Sequence, residues 1–234
     1  MPSTRSFLTG VVLSASLVGC AHAPAFQTGL AGATARAKAD SLRYPYTKAD
    51  IDFMSGMIHH HAQAITMSRW APSHGADAAV QRLTARIINA QTDEIKLMQS
   101  WLEDRRQTVP QVDSTGKVTM GSGGQSMPGH DMSSMPGMSM PGMAMPMMPG
   151  MLSDAQMKEL DAARGTEFNR LFLTYMIQHH RGAVAMVKSL YANAGAAQDE
   201  TVFKFANDVE VDQSTEIKRM FTMMLEMGFV PPTE

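Results

Sequence analysis

The chain has 234 residues, of which 44% are hydrophobic and 18% are charged, and its formal net charge is −2. This composition is ordinary for a globular protein with one sizeable core, and the lack of a basic surplus argues against a nucleic-acid-binding protein. The unusual feature is 23 methionines beside an aromatic content of only 6%.

Residues 1–19 have the pattern of a secretion signal. Arg5 precedes an apolar run that is too short to span a bilayer as a stable helix. The run ends in Leu17-Val18-Gly19-Cys20, which resembles the bacterial lipobox and holds the only cysteine of the chain. We therefore expect lipidation at Cys20 and a protein anchored on the periplasmic or extracellular side of a membrane, with no thiol left for disulfides or thiolate metal sites. The alternative is a general signal peptide with an incidental cysteine.

The first hairpin is predicted over residues 47–106, after a small-residue tether at 20–46. Thr47 with Asp50 resembles a capping box, and Pro72 stops the helix that follows. A second helix is expected to end near Asp104, because apolar residues recur along it at steps of three and four. That stripe consists of Val80, Leu83, Ile87, Gln91, Glu94, Met98 and Leu102.

The first helix carries a motif that recurs 119 residues later. The repeated positions are Phe53, Met57, His60, His61, Ala64 and Met67, matched by Phe172, Met176, His179, His180, Ala183 and Met186. At about 100° per residue they share one sector of a helix, with Met67 at its margin, whereas His59 lies nearly opposite. The paired histidines should therefore point into a core, where an imidazole is costly unless something satisfies it.

The second hairpin is predicted over residues 153–228, with a tail at 229–234. A helix should start near Ser153, Gly165 should break it, and the histidine helix should run from about Thr166 to Ala192. The second stripe recurs with an offset of 122, as Val202, Phe205, Val209, Gln213, Glu216, Met220 and Met224. The short loops make both hairpins antiparallel, and two repeated units predict two packed helical hairpins.

The repeated core positions supply candidate metal ligands. The first group is Met57, His60, His61, Met67, Met176, His179, His180 and Met186. A second group, expected either to bind metal or to accept imidazole N–H bonds, is Gln91, Glu94, Met98, Gln213, Glu216 and Met220. Two alternatives stay open: a purely structural network of histidine and glutamate, and a packing role for Met98 and Met220.

Residues 107–152 read as a disordered linker rich in methionine, proline and glycine, without a helical or strand period. Its candidate soft-metal residues are Met127, His130, Met132, Met135, Met138, Met140, Met143, Met145, Met147, Met148 and Met151. A thioether has no proton to lose and binds Cu(I) or Ag(I) in oxidising compartments, which gives the methionines a reason. Drift of a repeat-prone segment and a sacrificial oxidant sink are the alternatives.

The residues of both hairpins resemble the domain-of-unknown-function family 305. In the first hairpin the matching residues are Asp52, Phe53, Met57, Ile58, His60, His61, Ala64, Met67, Ile87, Gln91, Glu94, Ile95, Met98, Trp101 and Leu102. The second copy departs at Leu171, where the family has Asp, and at Met223, where the first copy has Trp. The resemblance implies an all-α, ferritin-like four-helix bundle in exported bacterial proteins, some of them implicated in copper binding and copper resistance.

Three functions compete at this level. The leading one is a non-enzymatic, extracytoplasmic lipoprotein that buffers, sequesters or hands on Cu(I) or Cu(II), with Ag(I) as a mimic and a copper exporter or oxidase as partner. A ferritin-like metalloenzyme is the rival, but the chain has neither a Glu-x-x-His pair nor a His-Glu-x-x-His motif. The third is a metal-free structural bundle.

Overall fold

A computed structural model describes residue 29 and residues 32–35, 45–120 and 148–233. The helices whose two ends are defined within these ranges are α1 (Lys48–Arg69), α2 (Ala78–Asp104), α3 (Asp154–Ala162), α4 (Gly165–Tyr191) and α5 (Glu200–Glu226). Two strands, β1 (Pro110–Val112) and β2 (Val118–Met120), form a small hairpin after α2. The predicted all-α bundle is confirmed, with this hairpin as an addition.

The start of α1 is fixed by the predicted capping box. The Thr47 side chain accepts a hydrogen bond from the backbone N–H of Asp50, and the Thr47 N–H donates to the Asp50 carboxylate at 2.7 Å. The other oxygen of this buried carboxylate accepts from the Ala197 N–H at 2.7 Å. One cap therefore also fastens the loop that precedes α5. The helix ends at Arg69 with Trp70 as its C-cap, just before Pro72, as predicted.

The two histidine helices form the centre of the bundle. α1 packs along α2, α4 packs along α5, and α1 packs against α4. Phe53 near the start of α1 shares an apolar cluster with Val187 near the end of α4, whereas Met67 shares a second cluster with Phe168 at the start of α4. α1 and α4 therefore run antiparallel. Their histidines lie in sequence between the residues of the two clusters, at the middle of each helix.

The segment before the histidine helix of the second hairpin forms a helix of its own. Ser153 caps α3, and its capping box uses Gln156. Gly165 follows with φ of +57° and separates α3 from α4, so the predicted start and the predicted break are both observed. The second hairpin is therefore preceded by a short third helix.

The prediction that residues 107–152 lack strands was wrong for residues 110–120. Val112 pairs with Val118, and the Asp113 carboxylate accepts from the backbone N–H groups of the turn. At Gly116, φ is +87° and an added Cβ would lie 2.2 Å from the Thr66 hydroxyl. Strands of three residues are too short to show a period, and this hairpin forms where its tip packs onto α1. The tip of this hairpin lies against Thr66 of α1. His59, two turns earlier on the same helix, is half-buried.

None of the helices within the described ranges is long and apolar enough to cross a lipid bilayer. The predicted signal peptide and most of the tether and linker lie outside the described residues. So do these predicted site residues: Cys20, Met127, His130, Met132, Met135, Met138, Met140, Met143, Met145 and Met147.

Candidate metal centre

The bundle brings one histidine of each repeat into contact with the other. The ring centroids of His60 on α1 and His179 on α4 are 3.8 Å apart, with an angle of 42° between the planes, and both residues are fully buried. His60 Nε2 lies 3.0 Å from the carbonyl oxygen of Pro149, so it donates its proton there. Among the described residues, His60 Nδ1 and both ring nitrogens of His179 have no hydrogen-bond partner. The Nδ1 atoms of His61 and His180 also lack a partner among the described residues, so the centre of the protein holds five unpaired ring nitrogens, three of them in this pair.

Burial keeps both of these imidazoles neutral. It lowers the pKa of His60 to about 3, with the charge of the neighbouring His61 acting in the same direction. Burial also lowers the pKa of His179 well below its usual value, and His60 adds to the effect. A neutral imidazole has a free lone pair and is the form that binds metal. At neutral pH the pair is therefore ready to bind without losing protons.

The second histidine of each repeat is held by a glutamate. His61 Nε2 lies 2.6 Å from a carboxylate oxygen of Glu94, and His180 Nε2 lies 2.7 Å from one of Glu216. Each pair joins a fully buried imidazole to a carboxylate that is about one-fifth exposed, at 20% and 17%. The interpretation that these two glutamates accept imidazole N–H bonds agrees with the observed geometry.

The repeated glutamines do not share that role. Among the described residues, both amide atoms of Gln91 and the amide oxygen of Gln213 have no hydrogen-bond partner, although both residues are buried. They line a cavity of about 420 Å³ between α2 and α5, together with the carboxylates of Glu94, Glu216 and Asp212. Burial and the charge of Glu94 raise the pKa of Asp212. The histidines are thus backed by an acidic, polar cavity on this side.

The predicted methionine ligands divide into two groups by their burial. Met57 and Met98 belong to the apolar cluster around Phe53, and Met67, Met176 and Met220 belong to the cluster around Phe168, all fully buried. They therefore contribute to core packing on either side of the histidines. Met186 differs, because it is only half-buried and packs at the edge of the first cluster.

A segment that sequence reasoning assigned wholly to the linker covers the histidine pair. We call residues 148–152 the strap. The Gln63 side chain donates to the Leu152 carbonyl at 3.0 Å and accepts from the Leu152 N–H at 2.8 Å, while Gln178 donates to the Gly150 carbonyl at 3.3 Å. With the bond from His60 to Pro149, these contacts fasten the strap to both α1 and α4.

Glycine is required where the strap crosses α4. A Cβ added to Gly182 would lie 2.0 Å from the Pro149 carbonyl oxygen, so the strap fits only because this side chain is absent. In the repeat, Gly182 occupies the position of Gln63. A glycine inside a helix, at a position where the other copy has a long polar side chain, was the signal that could have revealed the strap.

The possible metal ligands at this centre are few. Within the described ranges, no group of three or more His, Cys, Asp or Glu side chains is arranged to hold a metal ion. Two neutral imidazoles with unpaired nitrogens, flanked by helices rich in methionine, suit a soft metal that accepts thioether sulfur. The residues present therefore fit copper better than a metal that needs several carboxylates.

This architecture is similar to that of known proteins. The family model described as "Domain of unknown function (DUF305)" matches residues 50–224, which include the strap and most of both hairpins. A DUF305 protein of Streptomyces coelicolor that is predicted to be secreted has a similar structure, with 27% identity and a TM-score of 0.58. That similarity covers 80% of this chain and 98% of the other.

Two further relatives extend the comparison. CopM in its Cu(II)-bound form is 26% identical, with a TM-score of 0.52, and the match covers 76% of this chain and 96% of CopM. "Uncharacterized protein L153" of Acanthamoeba polyphaga mimivirus is 41% identical over 63 residues, which is 26% of this chain. The match spans only 41% of that viral protein's length.

Proposed function

The chain belongs to the DUF305 family, and from this premise we propose that it is a non-enzymatic protein that binds copper outside the cytoplasm and buffers it or hands it on. The observation that carries the proposal is the contact between His60 and His179, with three ring nitrogens that have no partner among the described residues. A buried polar atom without a partner costs roughly 1–3 kcal/mol, so three of them together favour a ligand. The structure of CopM with Cu(II) bound, on the same fold, supports copper as that ligand.

In this proposal each side chain has a distinct part. His60 and His179 offer lone pairs to the metal, and they do so without releasing protons because burial keeps them neutral. Glu94 and Glu216 orient His61 and His180 through their hydrogen bonds. Methionine thioethers, which are soft ligands, would complete the ligand set when Cu(I) is bound.

The test is replacement of both central histidines by leucine. His60→Leu with His179→Leu removes the unpaired nitrogens and keeps apolar bulk, so the bundle should stay folded and lose one copper equivalent per chain. Copper binding is measured by anaerobic competition with a chromophoric Cu(I) chelator and by aerobic Cu(II) titration. His59→Leu, in the same motif but outside the pair, is the matched control and should bind as the parent does.

Two results of this test would count against the proposal. Copper binding by the double variant with parental affinity and stoichiometry would remove the metal role of the pair. Loss of the fold, seen as loss of helical circular dichroism, would instead favour a metal-free structural bundle. That second candidate draws on the hydrogen bonds of His61 with Glu94 and of His180 with Glu216, which form without a metal ion.

A lipid anchor at Cys20 is a further part of the proposal, and it rests on the lipobox-like end of the apolar leader. Such an anchor would hold the copper site at a membrane surface, near an exporter or oxidase that exchanges copper with it. Cys20→Ser should release the protein from the membrane fraction or leave an uncleaved precursor. Normal processing with unchanged membrane association would argue against lipidation at this residue.

A further inference from the structure

Two methionines from distant parts of the chain approach the same glycine of α1, one helical turn before His60. Met148 is the first residue of the strap, and Met186 lies on α4. Both approach Gly56 on α1, where an added Cβ would lie 3.2 Å from Met148 Sδ and 3.5 Å from the Met186 methyl carbon. Gly56 precedes His60 by four residues, so the two side chains lie one helical turn from the central pair on the same face of α1.

These methionines differ from those that fill the core. Met186 is half-buried, although its counterpart Met67 in the first repeat is fully buried, and Met148 is half-buried as well. Glycine inside a helix costs about 0.5–1 kcal/mol relative to alanine. At Gly56 the missing Cβ leaves room for the Met148 sulfur, so the helix gives up some stability where the two methionine side chains approach it.

The backbone holds Met148 in this position. The next residue, Pro149, has a restricted φ and accepts the hydrogen bond from His60, and Gly150 is bonded to Gln178. The close approach of Pro149 to Gly182 fixes the strap from the other side. The backbone next to Met148 is therefore held by three contacts of the two residues that follow it.

We propose that Met148 and Met186 bind one soft monovalent ion, Cu(I) or Ag(I), at an outer site beside the His60–His179 pair. The inference rests on the proposed copper function and assigns the point at which Cu(I) reaches the buried histidines. Thioethers are soft ligands without a proton to lose, so this site selects Cu(I) over Cu(II). Both methionine residues are half-buried, whereas the two histidines are fully buried.

The experiment is an anaerobic Ag(I) titration of the full chain carrying 13C-labelled methionine methyl groups, followed by NMR. Single leucine variants assign the two signals. The Met148 and Met186 methyl signals should shift together and saturate at a common equivalent of Ag(I). Met148→Leu should abolish the shift of Met186, because the site is shared. A Met186 shift that is unchanged in Met148→Leu would overturn the proposal, and so would the absence of shifts from both signals.

Two further variants sharpen the test. Gly56→Ala adds a Cβ against Met148 Sδ while improving helix propensity, so it should weaken Ag(I) binding at this site by about tenfold or more, which is 1.4 kcal/mol or more, with the fold intact. Met157→Leu with Met227→Leu, two half-buried methionines elsewhere, should leave the shifts unchanged. Parental affinity in Gly56→Ala would contradict the shared site.

The outer site and the proposed function can fail separately. The paired methyl shifts should persist in the His60→Leu, His179→Leu variant, because the outer site has its own ligands. If that variant keeps parental copper binding while the methyl signals still shift, the central histidine site fails and the outer site stands. If the variant loses copper but the methyl signals of the parent never shift, only the outer site fails.

Discussion

The two repeats carry the same inner motif but differ in how they meet the strap. Gln63 in the first copy makes two hydrogen bonds to Leu152. Gly182, at the same position of the second copy, has no side chain and so leaves space for Pro149. His60 is bonded to the strap, and His179 has no partner among the described residues. The comparison teaches that the identical residues build the paired centre, while the differing residues decide which edge of it is covered.

The two copies also differ at the end of their second helix. The Trp101 indole N–H donates to Asp199 at 3.1 Å, and Arg105 stacks on the Trp101 ring while pairing with the same buried carboxylate. The second copy has Met223 where the first has Trp101, and Met223 packs in the cluster around Phe168. A polar, charged end closes one hairpin and an apolar end closes the other.

The strongest way to break the contrast between the copies is Gly182→Gln, which makes them identical at this position. The new side chain cannot coexist with Pro149 at its present distance, so we expect a loss of about 1–3 kcal/mol in unfolding free energy, with the strap displaced. Chemical denaturation measures the loss, and hydrogen exchange at residues 148–152 measures the displacement.

The matched control for this variant is Ala185→Gln, which places the same side chain on an exposed position of α4. It should change stability by no more than about 0.5 kcal/mol. If Gly182→Gln unfolds like the parent and the exchange of the strap is unchanged, the strap does not lie against Gly182.

The change of unfolding free energy with pH is a smaller effect. It tests whether His60 and His179 behave alike despite their different partners. Burial lowers the pKa of His60 to about 3, against about 6.5 in the unfolded chain. Between these values the unfolded state binds the extra proton, so stability falls as the pH falls, by about 1.4 kcal/mol per pH unit for each such histidine. The pKa of His179 is lowered in the same direction.

His60→Leu and His179→Leu, measured singly in metal-free buffer between pH 4 and 6, should therefore each flatten the pH dependence of unfolding by about the same amount. Urea denaturation at several pH values provides the slopes. Slopes equal to that of the parent would mean that these histidines are not held neutral in the folded state.

The sequence by itself determined the helices, the repeat and the inward histidines, because each rests on local chemistry or on the helical period. The capping box at Thr47, the break at Gly165 and the burial of His60 and His179 were all predicted from such patterns and are confirmed. The metal role of these histidines stays a prediction.

Only the tertiary structure decided that His60 lies against His179. It also decided that the glutamates of the predicted second group, and not its glutamines, accept from His61 and His180. It also placed the strap and the hairpin at residues 110–120, which lie in a stretch whose composition predicts no structure. The physical reason is that these segments are held by contacts with surfaces distant in sequence, such as Gln63 with Leu152 and Gly116 with Thr66. A local sequence pattern does not indicate such contacts. The one signal was Gly182, where the first copy has Gln63.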